Sequence, residues 1–196
     1  MAFYRNKFFR CPQCVGIFVS GKLLLDRESE KARYEKHNND VYDVKYQQFV
    51  SPITSAIFRD FTEEHIGLDF GAGTGSAISK VLADKGFKIK QYDPFFFPSA
   101  GLLEEKYDYI ACCEVMEHFH RPEKEFSLLK RLLKPSGRLF CMTDIFNESI
   151  DFSKWYYKND PTHVFFYQTQ TLEWIMKKFG FSELFIKGRF IQFTNQ

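Results

Sequence analysis

A short apolar run over residues 66–70 passes without a break into Gly71-Ala72-Gly73-Thr74-Gly75, and no other feature constrains the fold as strongly. Glycines at alternate positions answer a backbone that must take positive φ or let a ligand approach closely. Residues 76–85, SAISKVLADK, then place Ile78, Val81 and Leu82 at helical spacing, and Gly86 ends the run. Strand, glycine turn and helix in that order open a βαβ unit, so a parallel sheet with helices on its faces is expected.

The alternation continues. Residues 88–92 read as a second strand closed by Asp93-Pro94, and residues 107–113, YDYIACC, as a third. Arg121-Pro122 opens a helix carrying Phe126, Leu128, Leu129, Leu132 and Leu133, and KPSG turns the chain into a strand over 138–143. A long connection, 144–167, leads to a helix capped by Thr169 or Thr171 and ending near Phe179-Gly180. Two last strands, 181–187 and 189–194, pivot on Gly188 as an antiparallel edge hairpin. The expected fold class is α/β, a Rossmann-like three-layer sandwich, mostly parallel with that C-terminal hairpin. Ligands on such sheets lie outside the carboxyl ends of the strands, which places the loops after Phe70, Tyr92 and Cys113 around one crevice.

Ahead of the sheet, FFRCPQCVGIFV over 8–19 has the look of a hairpin or knuckle around Cys11 and Cys14. Residues 27–38 are charged and helix-friendly, and 44–61 form a further helical stretch in which Ser51-Pro52 either starts a new helix or kinks an existing one. The expected division is 1–62, knuckle and helical lid, and 63–196, the ligand-binding domain.

Composition excludes several function classes. With 27 basic and 25 acidic residues the net charge is +2, so nothing pulls the chain as a whole toward nucleic acid or an anionic membrane. No apolar run approaches the ~20 residues that span a bilayer, and the start, MAFYRNKFFRCPQC, lacks the apolar stretch of a secretory leader. Cys112, Cys113 and Cys141 lie in apolar strand-like runs as small core hydrophobes; a reducing cytoplasmic setting is expected. A structural zinc needs four ligands. Cys11 and Cys14 supply two, and no second CxxC exists, so no metal site is assigned.

The chemistry concentrates on two acids. Asp69, at the end of its strand and two residues before Gly71, suits a cationic amino group. Asp93 stands at the tip of the next strand, where an acid roughly 20 residues beyond the glycines takes ribose hydroxyls. A dinucleotide fingerprint G-x-G-x-x-G/A would need a small apolar residue where Ser76 stands, and Asp69 would repel a pyrophosphate. Replacing Asp93 by Ala is expected to weaken ligand binding with folding little changed.

LDFGAGTG, YDP, YDYIACCEVMEHF and LLKPSGRLF together resemble, in order and spacing, the successive motifs of class I S-adenosylmethionine-dependent methyltransferases. The segment NDPTHVFFYQTQTLEWIMKKFGF is similar to the region after the fifth strand in the subgroup that includes ubiquinone-biosynthesis-type methylases. The resemblance implies S-adenosyl-L-methionine as cofactor. Asp69, Gly71, Ala72, Gly73, Thr74 and Gly75 would hold its methionine moiety and Asp93, with Pro94, its ribose. Glu114, Val115 and His118 would lie beside the transferred methyl. One departure stands out: residues 94–106 have no room for the usual helix and third strand, so that strand is expected to be reduced or missing. Phe95 or Phe96 then either stacks on adenine or fills the gap.

His118 and His163 are the candidate general bases, a neutral imidazole being suited to proton transfer near pH 7. Tyr34 and His37 belong to a lid over the cofactor, and the long 144–167 connection, with Trp155, Tyr156, Tyr157, Asp160 and His163, is expected to wall the acceptor cavity. The function expected is methyl transfer to a small-molecule O, N or C nucleophile, with no nucleic-acid or membrane partner and the oligomeric state open. The alternatives are a non-catalytic cofactor-binding protein of the same fold and a nicotinamide-dependent oxidoreductase.

Overall fold

In a computed structural model, which describes residues 1–36 and 39–196, the chain forms two sheets. The larger has four parallel strands, β4 (Ile66–Phe70), β5 (Lys88–Tyr92), β6 (Tyr107–Cys113) and β7 (Leu133–Met142), followed by the hairpin β9 (Phe181–Lys187) and β10 (Phe190–Asn195). Its order is β5-β4-β6-β7-β10-β9, with β10 antiparallel to both neighbours. The smaller sheet joins β1 (Ala2–Tyr4), β2 (Phe8–Arg10) and β3 (Ile17–Val19) to β8 (Phe165–Phe166), a strand from the long connection.

The helices follow their apolar stripes. On one face of the large sheet α2 (Val44–Asp60) and α3 (Ala77–Asp84) bury Ile53, Ile57, Ile78 and Leu82 against Tyr109, Ala111 and Phe140. On the other, α4 (Pro122–Leu132) and α5 (Thr169–Phe179) bury Phe126, Leu129, Leu172 and Ile175 against Leu68, Ile110 and Leu139. The three-layer mostly parallel architecture is the one expected. So is the missing strand: among the described residues, 94–106 form no strand, and a 3-10 turn at Ala100–Leu103 packs Leu102 and Leu103 against the core instead.

One open alternative closes and two local readings change. Pro52 lies inside one existing helix, α2, rather than starting a new one. The strand after α4 begins at Leu133, because KPSG continues it, with Ser136 at φ 62, instead of turning into it. Neither threonine is the N-cap of α5: Gln168 is, in a reciprocal capping box with Thr171.

The hairpin around Cys11 and Cys14 docks on the body of the molecule. Thr171 Oγ1 donates to the Cys14 carbonyl at 2.9 Å and Gln168 Nε2 to the Val15 carbonyl at 2.6 Å. β3 pairs with β8, and Ile17 joins Phe146, Phe152, Trp155, Tyr157 and Phe166 in an aromatic-rich cluster. The 144–167 connection thus has its own core, made with the first residues of the chain. The charged helix α1 (Arg27–Tyr34), capped by Asp26, buries no residue and is held at the carboxyl edge of the large sheet by side-chain contacts of Arg27 and Arg33.

Ile17 is fully buried. Ile17→Ala is expected to lower unfolding free energy by about 2–5 kcal/mol. Hydrogen exchange should quicken first over 144–167, well before the amides of β4, β6 and β7. Uniform loss of protection would contradict the placement of this cluster.

Candidate active site

The glycine turn is fixed to the end of β5 before any ligand is considered. Gly71 and Ala72 donate their amides to the Tyr92 carbonyl at 2.8 and 3.1 Å. Gly73 donates to Asp93 Oδ2 at 3.0 Å, while Asp93 Oδ1 accepts from the amides of Phe95 at 2.8 Å and Phe96 at 3.1 Å. Gly71 has φ 85, and a Cβ there would sit 2.5 Å from the Val115 side chain; Gly73 has φ 60. Both positions need glycine, the first for space as well as conformation.

A cavity of about 610 Å³ opens over this turn, within the size range of small-molecule sites. Gly71, Ala72, Gly73, Thr74, Asp93, Pro94, Glu114, Val115, His118, His163 and Tyr34, all singled out from sequence, line it together with Phe95 and Phe96. Two sequence candidates do not. Gly75 faces residues 39–41, where an added Cβ would come within 3.2 Å of the Asn39 carbonyl. Asp69 is buried beneath the turn, accepting from Ser79 Oγ at 2.7 Å; burial raises its pKa against the hydrogen bonds of Ser76 and Ser79. The same acid also joins β4 to α3.

Helix α1 closes one side. Arg27 donates to the Pro94 carbonyl at 2.7 Å and stands 4.5 Å over the Phe95 ring; the Tyr34 ring meets Phe95 at 5.6 Å and His118 at 5.2 Å. Its far end is clasped to the long connection by Arg33 and Asp160 at 2.6 Å. His37, expected in the same lid, lies outside the described residues.

A second cavity, of about 560 Å³, adjoins the first and shares Phe49, Glu114 and His163 with it. Tyr156, Tyr157, Asp160 and His163 of the 144–167 connection form its wall, with Arg33 and Arg189. Trp155, expected there, belongs to the aromatic cluster and only its Nε1 reaches out, to Asp144 at 3.3 Å.

A half-buried acid, Glu114, and a fully buried one, Glu117, sit close together here. Glu114 follows β6 with φ 53 and pairs through Oε2 with Arg189 of the C-terminal hairpin. Glu117, in the 3-10 turn Met116–His118, is fully buried and accepts a hydrogen bond from Tyr157. Burial pushes Glu114 up to about 7, the Glu117 charge adding and Arg189 opposing. Burial likewise pushes Glu117 up to about 7, against the Tyr157 hydrogen bond. His118 Nδ1 donates to the Thr162 carbonyl at 2.8 Å and His163 Nδ1 to the Tyr157 carbonyl at 2.7 Å; the rings lie 4.9 Å apart. Glu117 and Arg189 escaped the sequence reading. An acid inside an apolar post-strand run was the available signal for Glu117; Arg189 carried none, since only the hairpin brings it to Glu114.

Solved methyltransferase structures share this architecture. The chain aligns to an O-methyltransferase family protein from Burkholderia thailandensis with TM-score 0.58 at 13% identity, covering 85% of this chain and 62% of that one. It aligns to human N-acetylserotonin methyltransferase, in complex with SAM, with TM-score 0.58 at 12% identity, covering 86% and 56%. For Haemonchus contortus phosphoethanolamine N-methyltransferase 2, in complex with S-adenosyl-L-methionine, the values are 0.52, 16%, 87% and 47%. The chain thus spans less than two thirds of each of these proteins. No curated protein matches the sequence. Residues 42–184 match the model of the family described as Methyltransferase domain, and the chain belongs to that family. No helix among the described residues is long and apolar enough to cross a membrane.

The hydrogen bonds of Asp93 correct one expectation. Asp93→Ala strips acceptors from three backbone amides, so it is expected to cost about 1–3 kcal/mol of stability as well as any ligand affinity. Asp93→Asn keeps one acceptor oxygen and should cost less. Equal urea midpoints for wild type and the alanine variant would contradict this.

Proposed function

We propose that the protein transfers a methyl group from S-adenosyl-L-methionine, held over the glycine turn, to a small-molecule nucleophile in the adjoining cavity. The carrying observation is that two cavities meet at Glu114 and His163, in a chain of the methyltransferase-domain family. The first cavity fits the cofactor: a glycine cradle that a Cβ would fill at Gly71, and an acid, Asp93, at its rim. Bound there, the cofactor supplies a methyl already activated by its sulfonium, so the protein's work is alignment and exclusion of water.

Each residue then has a task. Asp93 Oδ1 already accepts twice and Oδ2 once. A carboxylate has about four lone-pair sites, which leaves Oδ2 for one ribose hydroxyl rather than both. Phe95, backed by Arg27, offers adenine a ring face, with Phe96 beside it. Thr74, Ala72 and Val115 line the methionine end, and Asp69, with Gly75, positions the turn from behind without touching the ligand. Tyr34 and α1 cover the cleft. His118 and His163 handle the polar atom of the acceptor: each Nδ1–H is held by a carbonyl, which fixes the orientation of each ring. The 159–181 segment supports a place among the ubiquinone-biosynthesis-type methylases, and a metal-free ribbon is the reading of the Cys11–Cys14 knuckle.

Calorimetry is expected to give saturable binding of S-adenosylhomocysteine and none of NAD. Asp93→Asn should weaken it roughly ten- to a hundred-fold, since it removes a charge-assisted hydrogen bond of about 1.5–3 kcal/mol. Binding of NAD with no response to S-adenosylhomocysteine would overturn the proposal.

A further inference from the structure

The Cys11–Cys14 knuckle is a motif that methyl transfer leaves without a task. It is a closed turn: the Cys11 amide donates to the Gly16 carbonyl at 2.9 Å and the Val15 amide to the Cys11 carbonyl at 3.0 Å. Thr171 and Gln168 hold it from the start of α5 through the Cys14 and Val15 carbonyls. Gly16 lies so close to β8 that a Cβ there would fall 2.4 Å from the Phe165 ring. The backbone thus fixes the two thiols side by side, and the Cys14 thiol donates to the Cys11 sulfur.

The two sulfurs differ in exposure and in surroundings. Cys11 is half-buried, whereas Cys14 is only 8% exposed. Partial burial works to raise the Cys11 pKa, but the amides of Cys14 and Gln13 and the Cys14 thiol donate to its sulfur and set it below the usual thiol value. Burial pushes the Cys14 thiol up to about 11, against the Gly16 amide. The thiolate is the attacking species in disulfide exchange, and donors around a sulfur favour it. A reachable, donor-rich sulfur with a protonated one at hydrogen-bond distance is an attacking and resolving pair. The other cysteines are placed differently: Cys112 and Cys141 are fully buried on adjacent strands, and burial pushes the Cys113 thiol well above its ordinary value.

We propose that Cys11 and Cys14 form a redox-active dithiol that reduces low-molecular-weight disulfides, with Cys11 attacking and Cys14 resolving. The Cys11 thiolate bonds to one sulfur of the substrate, whose S–S bond breaks and releases one thiolate. The Cys14 thiol then gives up its proton, and its sulfur bonds to that of Cys11. The mixed disulfide breaks and releases the second thiolate. Counting the proton shed when the Cys11 thiolate forms, the chain loses two electrons and two protons, and the substrate leaves as two thiols. Ring closure joins residues three apart in a turn that is already held, so the second step has little loop to order. Where thiol pools keep proteins reduced, such disulfides are transient and serve catalysis or redox sensing.

The test uses the full chain, reduced, freed of reductant and incubated with oxidised glutathione near neutral pH. Mass spectrometry after acid quench and alkylation should show a chain lighter by two hydrogens, with Cys11 joined to Cys14 and two glutathione thiols released per chain. Cys14→Ser should stop at one glutathione on Cys11. Cys11→Ser should slow the first reaction more than about tenfold, with circular dichroism confirming the fold. A mixed disulfide that persists on wild-type Cys11, a bridge to another cysteine, or a first reaction at Cys14 would each overturn the dithiol. So would one zinc per chain in the purified protein, or a reaction that begins only when urea unfolds the chain. The assay contains neither methyl donor nor acceptor, so its outcome is independent of whether the chain binds S-adenosylhomocysteine.

Discussion

Asp93 gathers the backbone of two loops onto one carboxylate, and the ligand-facing edge of the sheet depends on it. The parallel register of β4 and β5 brings Phe70 opposite Tyr92. The next residues of each strand must therefore turn away side by side, and their amides need acceptors. The Tyr92 carbonyl takes Gly71 and Ala72; Asp93 takes Gly73 on one oxygen and Phe95 and Phe96 on the other. A buried amide left unpaired costs about as much as a lost hydrogen bond. The turn is thus rigid before a ligand arrives, a precondition for a site that works by alignment.

The small N-terminal sheet solves a different problem. A connection as long as 144–167 would be mobile on its own, because it is too short of regular structure to bury its aromatic side chains. Strand β8 gives it a partner in β3, and Ile17 fills the centre of Phe146, Phe152, Trp155 and Phe166. Tyr156, Asp160 and His163, outside this cluster, are then presented along the second cavity, together with Tyr157 from the cluster itself. Helix α1 completes the enclosure by polar contacts at both ends, Arg27 to Pro94 and Arg33 to Asp160. Such contacts are individually weak at exposed positions, as suits a cover that must admit and release ligand.

The large sheet and its glycine cradle were legible from residues 66–142 because period and turn chemistry are local. An alternation of apolar runs, glycines with forced φ and prolines at helix starts specifies elements without reference to partners. The missing strand was legible for the same reason, since residues 94–106 are too few to hold it. Local reading failed where a partner decides. Nothing local shows that β4 buries Asp69 under α3, where Ser79 hydrogen-bonds one of its oxygens. Trp155 reads as a pocket residue and is claimed by a core that forms only when β3 and β8 pair.

By itself the sequence determined a parallel α/β sheet, a glycine turn with Asp93 at its rim and the absence of a third strand, all set by steric and hydrogen-bonding demands within about 30 residues of chain. Only the tertiary structure decided the seam between the cavities. Glu117 and His118 follow β6, His163 belongs to the long connection and Arg189 to the last hairpin, and no spacing rule relates them. They meet because three chain segments converge at the carboxyl edge of one sheet. Burial there raises Glu114, with the Glu117 charge adding, and Glu117 to about 7, and the carbonyls of Thr162 and Tyr157 accept from Nδ1 of His118 and His163.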